Sequence, residues 1–483
     1  MAEKLSKKSR NYYINSAISI LIILAFHLAP TFSTLTRTGM DVAGIFIGVI
    51  YAFSTVDIVW PALLGIVLLG CTEIYSMTGA FTAAFGNDTW LFILFILTFA
   101  AIINDSGVSS VIANWMVSRK FSRGKPWVIS WLLLTTAYVV AALVSVTPGV
   151  IIPWAILYTM CEHYGYKKHD KYPTLMVIGI TLASMMGNTA FPFKSLALMV
   201  QKSLANITGE TIDFALFTVL AVSLSYAIVI TYLLLCRFLF KPDVSAIRNS
   251  SYVYEGEARI NPYQKKILLL LGLFFILLFA PGILPETVPG ITLLKTVGNT
   301  GICVLLLCLA GFFATKDSGK PKINLAVEMK NGIPWPTMML LAFALLMTSA
   351  ITMRPRDTAV SQVALRARLR SAPNTVLFIL LACAVQLVLT NIFANMVIAL
   401  LLVPLICTYA PMAGASNTMM CVCISVLVNV SLFLPSSSPF AALMHGNSEW
   451  VTAKEIYKYI GITLVFVLFV STFICSTLGI LLF

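Results

Sequence analysis

Two apolar stretches of this chain are interrupted in the same way, and these interruptions limit the folds it can adopt more than any other feature. The stretch from Pro173 to Met186 runs into GNTAFPF at 187–193, and the stretch from Met419 to Leu434 runs into PSSSPF at 435–440. Both interruptions end in Pro-Phe, with an offset of 247 residues between the prolines. Inside hydrocarbon each unpaired backbone group costs several kcal/mol, so such breaks are tolerated only where they line a cavity or contact a ligand. Paired breaks in the two halves of a chain are typical of secondary transporters built from repeats.

The composition places the chain in a membrane. Hydrophobic residues make up 59% of its 483 residues and charged residues only 11%, whereas a soluble domain has about 25% charged residues. The mean hydropathy is +0.92, and apolar runs recur from Tyr13 through Phe483. These features predict an all-α polytopic membrane protein with about 11 spans. The basic excess of +13 gathers in loops, which indicates contact with the lipid bilayer and not with nucleic acid.

Positive charge also predicts the orientation. Four basic residues precede the first apolar run, and further spans follow it directly, which predicts a cytoplasmic N-terminus in a plasma (inner) membrane and no cleavable signal. These residues are Lys4, Lys7, Lys8 and Arg10. Basic clusters at 119–125 and 167–171 flank the uncharged segment Pro126 to Cys161, which SVTPG interrupts at 145–149. With both flanks in the cytoplasm, this segment is predicted to be a re-entrant hairpin with its tip at 145–149; a single proline-kinked span is the alternative.

The second half repeats this plan. Trp90 and Trp335 each open an apolar run, and they are 245 residues apart. Ala394, within the polar break TNIFANM at 390–396, lies 249 residues after Ser145 of the first hairpin tip. Similar offsets in one chain order predict an internal duplication, with the two halves inverted. The predicted parts are N-terminal scaffold helices at 1–84, a first repeat at 85–240, a polar linker at 241–262, scaffold helices at 263–332 and a second repeat at 333–483.

One flank conflicts with the usual charge bias, because a basic segment precedes the second hairpin on its predicted outer side. We interpret this segment as an amphipathic interfacial helix that draws anions toward an outer vestibule. Its basic residues are Arg354, Arg356, Arg366, Arg368 and Arg370.

The order of these features resembles the divalent anion/sodium symporter (DASS) family, within the wider ion-transporter superfamily. LPSSSPFAA at 434–442 is similar to the family's Leu-Pro-x-x-Thr-Pro-Pro-Asn-Ala motif, and Ile333-Pro334-Trp335 resembles the opening of its second repeat. The segment from Asn391 to Pro404 resembles its Ser-Asn-Thr hairpin and downstream Leu-Pro, and the likeness extends from Phe85 to the C-terminus. The resemblance implies an elevator-type transporter of small organic anions that forms a homodimer.

The hairpin tips depart from the family pattern. In typical members each tip reads Ser-Asn-Thr and helps to hold sodium and substrate carboxylates, whereas here the tips read Ser145-Val146-Thr147 and Ala394-Asn395-Met396. Valine and methionine cannot replace the oxygens and N–H donors of asparagine and threonine. The candidate substrate-binding residues are Ser145, Thr147, Asn188, Thr189, Pro192, Lys194, Asn395, Ser437, Ser438 and Pro439. The candidate sodium ligands are Ser145, Gly187, Asn395 and Ser436.

Lys194 is the only charged residue from Tyr172 to Gln201. An isolated charge inside a membrane is expensive and marks a functional site by default. We predict that its ammonium stands where sodium would bind and pairs with an anionic substrate; alternatively, it snorkels to the interface. His445, just past the second break, either titrates in a vestibule or has a structural role.

The predicted function is therefore secondary transport of small organic anions, di- or tricarboxylates, by exchange or with weak sodium dependence. A sodium-coupled symporter and a cation/proton antiporter are the alternatives, although the segment from Gln386 to Asn447 lacks the carboxylate that an antiporter needs. An enzyme is disfavoured, because the four histidines are far apart and no phosphate-binding loop motif is present. The ten cysteines lie mostly in apolar runs, so no metal cofactor is predicted and sodium is the only candidate ion.

Overall fold

The computed structural model of the chain describes residues 10–31, 36–118, 124–249, 260–285, 287–312, 316–317, 320–321, 323–352 and 375–483. Helices dominate these ranges. They are α1 (Arg10–Leu28), α2 (Arg37–Thr55), α3 (Val59–Gly70), α4 (Met77–Phe85), α5 (Asp88–Asp105), α6 (Val108–Val117), α7 (Pro126–Leu143), α8 (Val146–Tyr164), α9 (Lys171–Gly187), α10 (Ser195–Thr208), α11 (Phe214–Leu234), α12 (Ser245–Arg248), α13 (Pro262–Ile283), α14 (Ile291–Phe312), α15 (Leu325–Gly332), α16 (Trp335–Thr352), α17 (Thr375–Ile392), α18 (Asn395–Tyr409), α19 (Asn417–Leu427), α20 (Pro439–Gly446), α21 (Ala453–Ile474) and α22 (Ile480–Leu482).

Short irregular elements complete the fold. A π-helical turn continues α11 over Leu235–Phe240, another continues α21 over Cys475–Gly479, and a 3₁₀ turn covers Pro411–Ala413. Two antiparallel strands of two residues each, β1 (Lys316–Asp317) and β2 (Lys320–Pro321), form a small ladder.

Within the described ranges, eight helices are long and apolar enough to cross a membrane. Several shorter apolar helices accompany them, including α3, α6, α18 and α19. The predicted all-α polytopic membrane fold is thereby confirmed. Of the shorter helices, α18 belongs to a hairpin and α19 to a broken span, in which no single helix has to cross the whole bilayer.

The first uncharged segment forms a hairpin and not a single kinked span. Helices α7 and α8 pack side by side, and a Cβ atom built on Gly149 would lie 2.9 Å from the Cβ atom of Ala141. The turn falls at Val144 and Ser145, so residues 146–149, predicted as part of the tip, form the first turn of α8. Proline is accepted in a first turn because an N–H there has no helical partner, which explains why Pro148 does not break α8. The second hairpin turns at Phe393 and Ala394, between α17 and α18.

The two broken helices run in opposite directions. α9 and α10 form the first of them, and α19 and α20 form the second. Near the start of α9, the hydroxyl of Thr174 donates to the carbonyl oxygen of Trp450, which follows the end of α20, at 3.2 Å. Near the opposite end of α9, Ser438, at the start of α20, has its Oγ 4.0 Å from the Sδ of Met185. The start of one broken helix thus lies beside the end of the other, as an inverted repeat requires.

The first half-helices lie at the centre of the molecule. Every residue of α9 from Tyr172 to Gly187 is buried, and the same holds for α19 from Met419 to Leu427. Close approach depends on small residues, as in other membrane helices: any side chain at Gly187 would collide with the carbonyl oxygen of Tyr138 on α7. The first hairpin therefore rests directly on the end of α9.

The tryptophans that open the two repeats have different surroundings. The indole N–H of Trp90 donates to the carbonyl oxygen of Met338 at 3.0 Å and joins α5 to α16. Trp335 is 44% exposed. The predicted interfacial segment from Arg354 to Arg370 lies outside the described residues, as do Lys4, Lys7 and Lys8.

Candidate functional site

Lys194 closes the first hairpin. It lies in the break between α9 and α10, and its Nζ donates to the carbonyl oxygens of Ala141 and Val144, each at 3.2 Å. These carbonyls belong to the end of α7, where a helix leaves its last C=O groups unpaired and carries partial negative charge. The ammonium thus satisfies backbone oxygens of the hairpin tip, and the side chain does not point away from the site, as snorkelling would require.

The second hairpin is closed by an amide. Asn391, in the last turn of α17, donates from Nδ2 to the carbonyl oxygens of Leu387 and Val430, both at 2.8 Å. Its Oδ1 accepts from the backbone N–H groups of Leu432 at 3.1 Å and Phe433 at 2.9 Å. Four hydrogen bonds therefore hold this buried side chain, and three of them go to the second break.

Two further side chains of α17 bond to the same broken helix. The amide of Gln386 donates to the carbonyl oxygen of Ile424 at 2.8 Å, and the hydroxyl of Thr390 donates to that of Val428 at 2.7 Å. The Ile424 carbonyl lies in the last turn of α19 and also accepts from the backbone N–H of Val428, whereas the Val428 carbonyl lies just beyond the helix. The second hairpin and the end of α19 consequently form one hydrogen-bonded unit.

Direct contacts link the second tip to its break and the two breaks to each other. The backbone N–H of Asn395 donates to the carbonyl oxygen of Ser437 at 3.3 Å. The hydroxyl of Ser438 donates to the carbonyl oxygen of Ser431 at 2.8 Å and lies beside Met185 at the end of α9. The hydroxyl of Ser431 itself is buried without a hydrogen-bond partner among the described residues. A continuous path therefore runs from the first hairpin through both breaks to the second hairpin.

Four helices begin in this region, and their N-termini are not equivalent. Ser438 caps α20, because its Oγ accepts from the N–H of Ala441 at 3.0 Å. The residues that precede α8, α10 and α18 are Ser145, Lys194 and Ala394, and none makes a side-chain cap. Uncapped N–H groups and the positive end of the helix dipole form a ready site for an anion. At α18 the N–H groups of Asn395 and Met396 already donate to the carbonyl oxygen of Ser437 and to Asn395 Oδ1. The N-termini of α8 and α10 therefore remain available to a negatively charged ligand.

The remaining predicted residues differ in what their side chains contact. Thr189 is buried and donates to the carbonyl oxygen of Met186 at 2.7 Å, and Ser437 donates to that of Leu434 at 2.6 Å. Both hydroxyls therefore serve local turns. Asn395 accepts from the N–H of Met396 at 2.9 Å through its Oδ1.

Other predicted positions are more open or contribute only backbone. Ser145 and Asn188 are partly exposed, and Thr147, Ser436 and Pro439 are exposed. The carbonyl oxygen of Pro192 accepts from Nε2 of Gln201 at 2.8 Å. Of the candidate sodium ligands, Gly187 lies against Tyr138, and Ser145 follows the carbonyl of Val144 that the ammonium already contacts.

The sequence analysis did not assign roles to Gln386, Thr390 and Asn391. A signal was present, because Gln386 and Thr390, four residues apart in an otherwise apolar helix, lie on one face, and Asn391 follows directly. Their partners are about 40 residues away in the chain. The spacing alone could indicate the face but not what it contacts.

The other titratable side chains nearby have structural partners. A ring nitrogen of His445 lies 3.1 Å from the carbonyl oxygen of Phe433, and its ring is 5.5 Å from that of Tyr457. All ten cysteines are free thiols. Across the described residues, no group of three or more His, Cys, Asp or Glu side chains is arranged to hold a metal ion.

Crossed broken helices between two hairpins are the architecture of a secondary transporter, and the comparisons with known proteins agree. The fold is similar to the crystal structure of the YdaH transporter of Alcanivorax borkumensis, with a TM-score of 0.58 and 13% sequence identity over 84% of this chain and 88% of that one. No curated protein sequence matches the chain significantly.

The particular family follows from the sequence. The family model described as citrate transporter (CitMHS) matches residues 45–318. The chain belongs to this family, which is part of the ion-transporter superfamily, and the predicted resemblance is confirmed. The protein is thus a membrane transport protein and not an enzyme.

Proposed function

We propose that this protein exchanges small organic anions, di- or tricarboxylates, and that Lys194 takes the place of a coupling cation. The observation that carries the proposal is the ammonium of Lys194 on the carbonyl oxygens of Ala141 and Val144. Those carbonyls belong to the first hairpin tip, where the DASS resemblance puts sodium ligands.

Three features support an anionic substrate. The uncapped N-termini of α8 and α10 supply N–H donors and positive dipole ends near the breaks. Lys194 adds a full positive charge, and two of its three N–H donors are used on the hairpin, which leaves one for a carboxylate. The matching family is named for citrate, a tricarboxylate. A substrate with two or more carboxylates can contact the ammonium and a helix N-terminus together.

The same charge disfavours sodium at the first tip. A hard cation needs several oxygen ligands, and two backbone oxygens of this tip already accept from the ammonium. A fixed positive charge in the moving part is also costly to carry through the membrane unless an anion accompanies it. We therefore expect exchange, because the site would then cross the membrane only with a bound substrate.

Alternating access would follow an elevator scheme. The hairpins and broken helices, joined by the hydrogen bonds of Asn391, Ser438 and Lys194, would move as one unit. Residues 1–84 and 263–332 would form the stationary scaffold, 241–262 the linker between repeats, and the scaffold would hold a homodimer together. We place the protein in a plasma membrane with the N-terminus in the cytoplasm, in line with the basic residues there.

Counterflow in proteoliposomes tests this function. Vesicles loaded with unlabelled citrate, a dicarboxylate, sulfate or phosphate are diluted into the labelled anion, first with sodium and then with choline on both sides. We expect trans-stimulated uptake of a di- or tricarboxylate that largely persists in choline. Flux without trans-stimulation would indicate a channel. Complete loss of transport in choline would identify a sodium-coupled symporter.

A further inference from the structure

A groove lies between α13 and α14. It is lined by one face of α13, by Leu309 and Ala310 of α14 and by Ile323, and its volume is about 380 Å³. Ligand pockets cover about 300–1,000 Å³, so the groove has room for a small molecule or one long chain. Leu269 is 66% exposed and Leu273 38% exposed, so the groove is open along its side.

The polarity of the groove changes along its length. Tyr263 and Lys266 line it near the start of α13, directly after the polar linker, and the lining from Ile267 to Leu273 is apolar. From Tyr263 to Leu273 the helix rises about 15 Å. The candidate membrane span of α13 begins at Pro262, so we place the polar end of the groove at the membrane surface and its apolar part in the hydrocarbon.

We propose that this groove binds an anionic phospholipid, with one acyl chain along α13 and the phosphate at Lys266. An acyl chain matches the aliphatic lining, and the exposed ammonium matches a phosphate at the level of the head groups. A peptide does not match, because its backbone polar groups would find few partners on a lining of leucine, isoleucine and alanine.

The neighbouring acids do not oppose this assignment strongly. Asp105 and Glu328 interact electrostatically with the phenol of Tyr263. Glu328 is buried, and burial, followed by the effect of Asp105, raises the pKa of its carboxyl. Neither Asp105 nor Glu328 lines the groove beside Lys266.

Native mass spectrometry of the purified full-length protein tests the proposal. The protein is titrated with phosphatidylglycerol or with phosphatidylcholine of the same acyl chains, and thermal stability is followed in parallel. We expect retention of phosphatidylglycerol in preference to phosphatidylcholine. Lys266→Gln should weaken that binding by about fivefold, the effect of one lysine near a membrane surface, while the exposed neighbour Lys265→Gln, which does not line the groove, should leave it unchanged.

A second variant pair tests the chain-binding part. Leu273→Trp fills the groove and should abolish retention of the lipid, whereas Leu293→Trp, at a 66% exposed position at the other end of α14, should not. Equal retention of the two lipids together with parental binding by both Lys266→Gln and Leu273→Trp would overturn the proposal. So would a change of oligomeric state in Leu273→Trp without loss of lipid, because the groove would then be a contact between copies of the chain.

Discussion

The two hairpins occupy equivalent places in the inverted repeat, yet different chemistry closes them. A charged side chain, Lys194, reaches from the first break to the end of α7. In the second half the direction is reversed, because Asn391 belongs to the hairpin and reaches the break. Both solutions satisfy backbone groups that hydrocarbon would otherwise leave unpaired. Only the first introduces a net charge.

The difference in charge suggests different roles for the two hairpins. The second hairpin is neutral and fully hydrogen-bonded at Asn391, so it requires no ion to stay on its broken helix. At the first hairpin, Lys194 forms no ion pair with a carboxylate in the described ranges, and we propose that a bound anion compensates its charge. We propose that the neutral second hairpin has a mainly structural role and that the charged first hairpin mainly binds substrate, and four sets of variants test this proposal.

The largest effect is expected on stability at Asn391. Asn391→Leu would leave Val430 O and the N–H groups of Leu432 and Phe433 without partners, at a cost of about 1–3 kcal/mol for each buried group. We expect a marked fall in the thermal midpoint of the purified protein, measured by intrinsic fluorescence in detergent. Gln386→Leu, which loses one hydrogen bond, is the matched control and should cost much less, because the Ile424 carbonyl keeps its bond from the N–H of Val428. A parental midpoint for Asn391→Leu would mean that the amide does not hold the second hairpin.

The second expected effect is on transport. Lys194→Gln removes two hydrogen bonds from a charged donor, which contribute about 1.5–3 kcal/mol each, so exchange should fall by at least about 100-fold or become dependent on sodium. Lys202→Gln, on the same helix α10, controls for the loss of a positive charge and should exchange at the parental rate. If Lys194→Gln transports normally and choline stops the parent, Lys194 is an anchor and the first hairpin needs sodium.

An intermediate effect is expected at the two tips. Thr147→Val and Asn395→Ala each remove a polar group from a tip, and an unpaired partner costs about 1–3 kcal/mol. Each should weaken substrate binding roughly tenfold, measured by isothermal titration of the anion identified by counterflow. Because Thr147 is exposed and the side-chain bond of Asn395 is only to its neighbour Met396, the thermal midpoints should change little. Unchanged affinity in both variants would exclude the tips from the site.

The smallest effect distinguishes two serines that precede helices of the site. Ser438 caps α20, so Ser438→Ala should lower stability by about 1 kcal/mol, a usual value for a lost cap. Ser145 precedes α8 without capping it, so Ser145→Ala should leave stability unchanged. Chemical denaturation of the two variants side by side measures the difference. Equal losses would mean that both serines act as structural caps.

Much of the fold was predictable, because a membrane makes irregular backbone conspicuous in a sequence. Proline and small polar residues interrupt apolar runs only where the backbone is sheltered, so both breaks and both hairpins were located within a few residues. The error at the first tip was local. Pro148 suggested a loop, but proline is also accepted in the first turn of a helix, and α8 begins at Val146.

The sequence by itself determined that this chain is a membrane transporter with two inverted, broken halves, because hydropathy and backbone breaks are properties of neighbouring residues. Only the tertiary structure decided what Lys194 and Asn391 contact. The oxygens bound by Lys194 lie 50 and 53 residues away, and the break reached by Asn391 lies 39 to 42 residues away. A lysine on a flexible four-carbon stem can point to the interface or to the centre, and the packing of α7 against α9 turns it toward the hairpin.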